Sequence, residues 1–190
     1  MKIACHEFFS GTVRADDEHS CICRSDLFDH LFDVYFVNRG FGSSCPEHQL
    51  YYYSRLIKPL APSVLVYSPW GNWDSFGYSA EESWELAERV VVWTQTDFPG
   101  CRVYLLGGSW GRDLPDYRVH YTMQDFDALM RRYAETHDEV FFIDPKPAFE
   151  GYGRGEDTSI YSDHVHFNQK GYDMYRDFFR DVLKDELAKF

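Results

Sequence analysis

The sequence predicts an α/β domain: three layers in α/β/α order around a parallel sheet of about five strands, flavodoxin-like in style. Three observations predict it. Short apolar runs alternate with longer amphipathic stretches along the chain, which is the pattern of strand–helix–strand crossovers. The length of 190 residues fits one domain, 1–190. A composition of 44% hydrophobic and 18% aromatic residues supplies enough apolar mass for a sizeable core.

Lys2 to Phe9 reads as the first strand, interrupted by His6 and Glu7. Ser25 to Phe32 has helical spacing, with Leu27, Phe28, Leu31 and Phe32 on one side. Val34 to Val37 is a short apolar run ending at Asn38-Arg39-Gly40. Pro46 to Leu60 reads as a helix with a proline in its first turn, where a missing N–H costs nothing. Its three adjacent tyrosines, Tyr51 to Tyr53, could stack on a sugar. On a helix they point in different directions, so part of the set belongs to the core and part to the surface. Val64 to Tyr67 is a buried strand of β-branched and aromatic residues.

Ser79 to Asp97 is the clearest helix. Ser79 and Glu82 have capping-box spacing, and Trp84, Leu86, Val90, Val91 and Trp93 give a broad apolar face. Arg102 to Leu106 is a strand ended by Gly107-Gly108. Thr122 to His137 is helical, Val140 to Ile143 a strand, and Asn168 to Lys189 a terminal helix. In open parallel sheets, sites form at the carboxyl ends of the strands. The loops to inspect are therefore 10–21, 38–46, 68–78, 107–120 and 144–167.

Nineteen basic against thirty-one acidic side chains give a net charge of −12. Such a surface repels nucleic acid and anionic membranes. No apolar run approaches the ~20 residues of a membrane helix. The start, Met1 to His6, lacks the long apolar core of a signal peptide. Five cysteines, an odd number without framework spacing, fit reduced thiols. The expected location is the cytoplasm. Cys21-Ile22-Cys23 has no second Cys or His pair at matching spacing, so it reads as packing rather than a metal site.

The strongest chemical signal is Asp163-His164-Val165-His166-Phe167-Asn168-Gln169-Lys170-Gly171-Tyr172, a loop running into the final helix. A carboxylate three residues before a histidine can accept from one imidazole nitrogen and leave the other free as a base. Asn168 would cap the helix and Gly171 would allow close packing. Two other readings stay open: His164 and His166 as half of a metal site, or either histidine as a satisfied structural group.

At these residues the chain resembles the SGNH (GDSL-type) hydrolase superfamily, over roughly residues 2 to 185. Asp163-x-x-His166 followed by FNQKGY looks like its last block. Asn38-Arg39-Gly40-Phe41-Gly42-Ser43-Ser44 looks like its second, and Trp70-Gly71-Asn72-Trp73-Asp74 stands where the third, GxND, is expected. An alternative alignment, Gly71-x-x-Asp74, puts Trp73 in the Asn position. The first block departs most, because the chain has no Gly-Asp-Ser. Phe8-Phe9-Ser10-Gly11-Thr12 aligned as GDSxT makes Ser10 the nucleophile; Ser20 and Thr12 are the alternatives.

The resemblance implies the SGNH hydrolase fold and a serine esterase or acyl hydrolase acting on a small-molecule carboxylic ester, with an acetyl or short acyl group, carbohydrate-linked in one version. It implies Ser10, His166 and Asp163 as the catalytic set. Gly40 or Gly42 with Asn72 would form the oxyanion hole. No cofactor and no metal is needed. Trp70, Trp73, Phe76 and Trp110 fall in loops at the expected site edge, where they would line a substrate pocket or form an apolar lid. Two rival readings are an SGNH-like binding protein for a carbohydrate or acyl ligand that has lost catalysis, and a metal-dependent hydrolase using Asp163, His164 and His166. Oligomeric state is not legible.

Overall fold

A computed structural model describes residues 2–6, 35–40, 42–69, 76–108, 123–149, 152, 159–162 and 167–189. Five strands form one sheet: β1 (Lys2–His6), β2 (Tyr35–Asn38), β3 (Val64–Tyr67), β4 (Arg102–Leu106) and β5 (Val140–Ile143). Their order is β2-β1-β3-β4-β5 and every pairing is parallel. The expected strand count and direction are met, and of the expected first strand the structure describes Lys2–His6, residues 7–9 lying outside the described residues.

β3 is buried along its whole length, as a central parallel strand covered on both faces must be. Side chains alternate across the sheet, and two cores result. Leu65, Tyr67, Val103, Leu105 and Val140 pack with Trp84, Val91, Phe126 and Met130. Val64, Val66, Tyr104, Leu106 and Ile143 pack with Phe149, Phe167, Tyr175 and Leu183. The first core holds α1 (Pro46–Tyr51), α3 (Ala80–Asp97) and α4 (Met123–Thr136); the second holds α5 (Lys146–Phe149) and α6 (Gln169–Val182). These are the three layers.

Two helices expected as single pieces are broken. Pro46 to Leu60 divides into α1, α2 (Tyr53–Leu56) and a 3-10 turn at Lys58–Leu60. Pro59 has no N–H to give and pushes its predecessor away from α geometry. The break at Tyr52 lets Tyr53 turn inward, where its hydroxyl donates to Asp97 Oδ2 at 3.0 Å. Tyr53 is 3% exposed and Tyr51 75%, the division expected of adjacent residues on a helix. The C-terminal helix breaks at buried Leu183, and α7 (Lys184–Leu187) brings Glu186 onto Arg102 of β4.

Local signals survive elsewhere. Glu82 N–H donates to Ser79 Oγ at 3.1 Å, and Ser79 N–H to Glu82 Oε2 at 2.8 Å, so the capping box forms. Asn168 Oδ1 accepts Gly171 N–H at 3.2 Å. A Cβ at Gly171 would collide with the Ile160 carbonyl and lie 2.6 Å from Phe167 Cδ1, so this position requires glycine. Residues 146–149, expected as loop, form α5. The expected helix at Ser25 to Phe32 lies outside the described residues. Among the described residues no helix is long and apolar enough to cross a membrane.

Candidate active site

All five strands point the same way, so their carboxyl ends share one edge. The pairings Cys5 with Asn38, His6 with Tyr67, and Leu106 with Ile143 set that edge in register. Strand order reverses between β1 and β3: the chain goes from β1 outward to β2, then back across to β3. Such a switch point is where a sheet of this type opens a crevice. The chain leaving β1 leads to Ser10 and the chain leaving β3 leads to Asn72, so the two expected groups follow the two strands flanking the switch.

Ser10, Thr12, Ser20, Trp70, Asn72, Trp73, Trp110, Asp163 and His166 lie outside the described residues. Of the expected site residues the structure places two, Gly40 and Gly42. Gly40 is half-buried and Gly42 exposed. Gly40 N–H donates to Asn38 Oδ1 at 2.8 Å, so Asn38, the last residue of β2, folds the following loop onto itself. Ser43 adopts a left-handed φ of 58°, which is unfavourable for a serine and needs support from its surroundings.

Two residues further on the chain enters α1. Cys45 is fully buried and caps the helix. His48 Nδ1 lies 3.2 Å from Cys45 Sγ and accepts Cys45 N–H at 3.2 Å. The β3–α3 connection is fastened to the same place. Phe76, the first described residue beyond 70–75, packs edge-on against His48 at 5.1 Å. Tyr78 donates to Glu47 Oε2 at 2.7 Å, and that bond, more than burial, pushes its phenol up to about 12. The two loops expected to supply oxyanion donors are therefore anchored to each other through His48 and Glu47.

Beneath them Tyr67, the last residue of β3, donates to Gln49 Oε1 at 2.6 Å. Complete burial, with Cys45 close by, holds its phenol well above the ordinary value, so it is a neutral donor throughout the working range. Among the described residues, Ser68 Oγ and Gln49 Nε2 are buried without a hydrogen-bond partner. On the other side of the edge, Asp127 of α4 accepts Gly108 N–H at 3.0 Å, fixing the loop after β4 at its root.

The chain on both sides of 163–166 is clamped. Tyr161 and Phe167 form an antiparallel bridge, with their rings stacked 5.1 Å apart. Asn168 N–H donates to Ile160 O at 2.9 Å, and Ser162 Oγ to Phe167 O at 3.4 Å. Phe167 stacks on Phe149 at 5.3 Å within the core under β4 and β5. The Asp163-x-x-His166 span starts and finishes on a rigid base.

Sequence reading missed three of these devices. An Asn two residues before a Gly is a turn signal and could have revealed the Asn38–Gly40 bond. Cys45 and His48 have capping-box spacing with unusual side chains. Asp127 and Gly108 are nineteen residues apart, and no local pattern joins them.

No protein-family model matches the chain, and no curated protein matches it. Solved structures do. An acetyl-xylooligosaccharide esterase variant from Geobacillus stearothermophilus superposes with a TM-score of 0.68 at 14% identity, covering 95% of this chain and 92% of that one. A protein assigned as a GDSL-like lipase from Parabacteroides merdae gives 0.66 at 14% identity, covering 95% and 94%. A Clostridium thermocellum family 3 carbohydrate esterase gives 0.62 at 13%, covering 82% and 80%. At these identities the likeness establishes the fold, and that fold is the one implied by the resemblance to SGNH hydrolases.

Proposed function

We propose that the chain is a single-domain serine esterase of the SGNH type that removes a short acyl group, acetyl in the simplest case, from a hydroxylated small molecule or carbohydrate. One observation carries this reading: the sheet that superposes on esterases over nearly the whole chain has its switch point between the strands leading to Ser10 and to Asn72. The clamped span holding Asp163 and His166 supports it, as do the names of the proteins that share the fold, an acetyl-xylooligosaccharide esterase and a carbohydrate esterase among them. Free, buried Cys45 and Cys101 agree with a reducing compartment.

In this mechanism Ser10 Oγ attacks the ester carbonyl carbon while His166 accepts its proton. Asp163 holds the imidazole tautomer and stabilises the imidazolium. The C–O bond to the alcohol breaks as His166 returns the proton to the leaving oxygen. Water, deprotonated by His166, then hydrolyses the acyl-enzyme. Backbone N–H of Ser10 and of Gly40 or Gly42, with the Asn72 side chain, stabilise the tetrahedral oxyanion. Losing one such donor costs ~10²–10³ in rate. Because Asn38 holds the Gly40 amide, Gly40 serves only if Asn38 shares or releases it, and Gly42 is the alternative backbone donor.

The test is intact-mass analysis after fluorophosphonate treatment, with peptide mapping and a His166→Ala control. One adduct on Ser10, absent from the control, is expected. An adduct on Ser20 or Thr12 moves the nucleophile and keeps the class. No adduct on folded protein overturns the reading.

A further inference from the structure

A trough runs over the outer face of the helices covering one side of the sheet, between the α1–α2 segment and α3. One part, about 600 Å³, lies among Glu47, Tyr51, Ser54, Leu86 and Trp93. A second, about 320 Å³, lies among Ser54, Lys58, Trp93, Thr96 and Asp97. They adjoin at Ser54 and Trp93, which line both. Each volume falls within the ~300–1,000 Å³ of small-ligand clefts. Leu86, Trp93 and Asp97 lie seven and four residues apart, one face of α3.

Two large aromatic side chains stand open here in a way the core does not explain. Tyr51 is 75% exposed and Trp93 45%. Trp93 is braced edge-on by Tyr53 at 5.4 Å, with rings 72° apart, so its ring is a fixed wall. Beside it the polar groups already have partners. Lys58 Nζ donates to Asp97 Oδ1 at 2.9 Å, and Tyr53 donates to the other carboxylate oxygen. Glu47 is held by Tyr78. What remains is spare hydrogen-bonding capacity and no more than the single negative charge of Glu47: further lone pairs on Asp97, further hydrogens on Lys58, and the hydroxyls of Ser54 and Thr96.

A fixed aromatic wall beside balanced donors and acceptors suits one ligand chemistry. A sugar ring has an apolar C–H face and a rim of hydroxyls that both donate and accept. We infer that this trough binds a neutral oligosaccharide, stacked on Trp93 and Tyr51 with its hydroxyls on Asp97, Lys58 and Ser54. A polyanion meets a chain of net charge −12, and a second copy of the chain meets the same repulsion. Glu47 stands in the first turn of α1, beside the loop edge built on His48. Asp97 ends α3, eighteen residues or roughly 27 Å away along that helix from its start. The α3 lining begins at Leu86, so the trough covers the last twelve residues of that helix, with Glu47 as its contact toward the loop edge. The inference deepens the esterase reading by giving it a polymeric carbohydrate substrate, but the binding surface stands without catalysis.

The experiment titrates the full chain with xylohexaose and with cellohexaose, by tryptophan fluorescence and calorimetry, alongside Trp93→Ala and Tyr51→Ala checked for folding by circular dichroism. Saturable binding of a hexasaccharide, weakened about tenfold by each substitution, is expected. Tyr51 is largely in solvent, so its variant keeps the test meaningful if Trp93→Ala unfolds. No binding of either sugar overturns the inference. So does binding that both folded variants retain, or a sedimentation dimer that Trp93→Ala dissolves without any sugar binding. Hydrolysis of p-nitrophenyl acetate by the unsubstituted chain reads the esterase proposal separately: sugar binding without turnover keeps the trough and removes the esterase, and turnover without sugar binding does the reverse.

Discussion

Asn38 Oδ1 accepts the backbone N–H of Gly40 at 2.8 Å, and this bond shapes the loop on which an oxyanion hole would depend. Asn38→Ala removes the acceptor and frees the loop. Steady-state hydrolysis of p-nitrophenyl acetate is expected to show kcat reduced by about tenfold with KM little changed, since a misplaced donor acts on the transition state. A kcat equal to or above that of the unsubstituted chain would mean that the bond withholds the Gly40 amide rather than positions it.

Gly171→Ala places a methyl group against the Ile160 carbonyl and the Phe167 ring. Overpacking of this kind costs about 1–3 kcal/mol, which urea denaturation would read directly. Because Phe167 forms one side of the clamp around residues 163–166, turnover measured well below the unfolding midpoint is expected to fall further than the unfolded fraction accounts for.

Tyr67 and Gln49 test whether a buried polar pair is worth having. Tyr67→Phe removes a 2.6 Å donor from Gln49 while Gln49 Nε2 is already without a partner among the described residues. A loss of about 1–3 kcal/mol is expected in chemical denaturation. The double substitution Tyr67→Phe with Gln49→Leu should recover part of that loss, since it removes the Gln49 amide that Tyr67→Phe leaves without its donor.

The pH dependence of stability centres on Glu186. Burial alone would raise its pKa, but hydrogen bonds from Lys189 and Tyr104 and the charge of Arg102 outweigh it, and the net shift is downward from 4.5. A carboxyl whose folded pKa is depressed contributes stability that is full above the unfolded value and is lost as pH falls through the folded one. Melting temperatures are expected to drop below pH ~4.5, and Glu186→Gln should flatten that drop while lowering the plateau at neutral pH. A profile unchanged by the substitution would remove Glu186 from the account.

Much of the fold was legible because its signals are local and periodic. The four-residue runs Val64 to Tyr67 and Val140 to Ile143 have bounded apolar strand patterns, and Ser79 with Glu82 announces its helix without reference to anything distant. The breaks at Tyr52 and Leu183 were not legible. The first depends on Tyr53 reaching Asp97, and the second accompanies Glu186 meeting Arg102, partners far apart in sequence. At the candidate site the same division holds. Asn168 as cap and Gly171 as close-packing residue follow from their positions beside a helix start. The fastening of Phe76 to His48, and of Gly108 to Asp127, needs the folded chain before either partner can be identified.

The bridge between Tyr161 and Phe167 closes a loop of five intervening residues using aromatic packing that belongs to the core. The loop-closure entropy of that span is therefore offset by groups that take no part in any reaction. Chemistry and anchorage are supplied there by different residues: the bridge and stacked rings come from Tyr161 and Phe167, and neither belongs to the expected catalytic set, which leaves the span between them open to new activities on an unchanged frame.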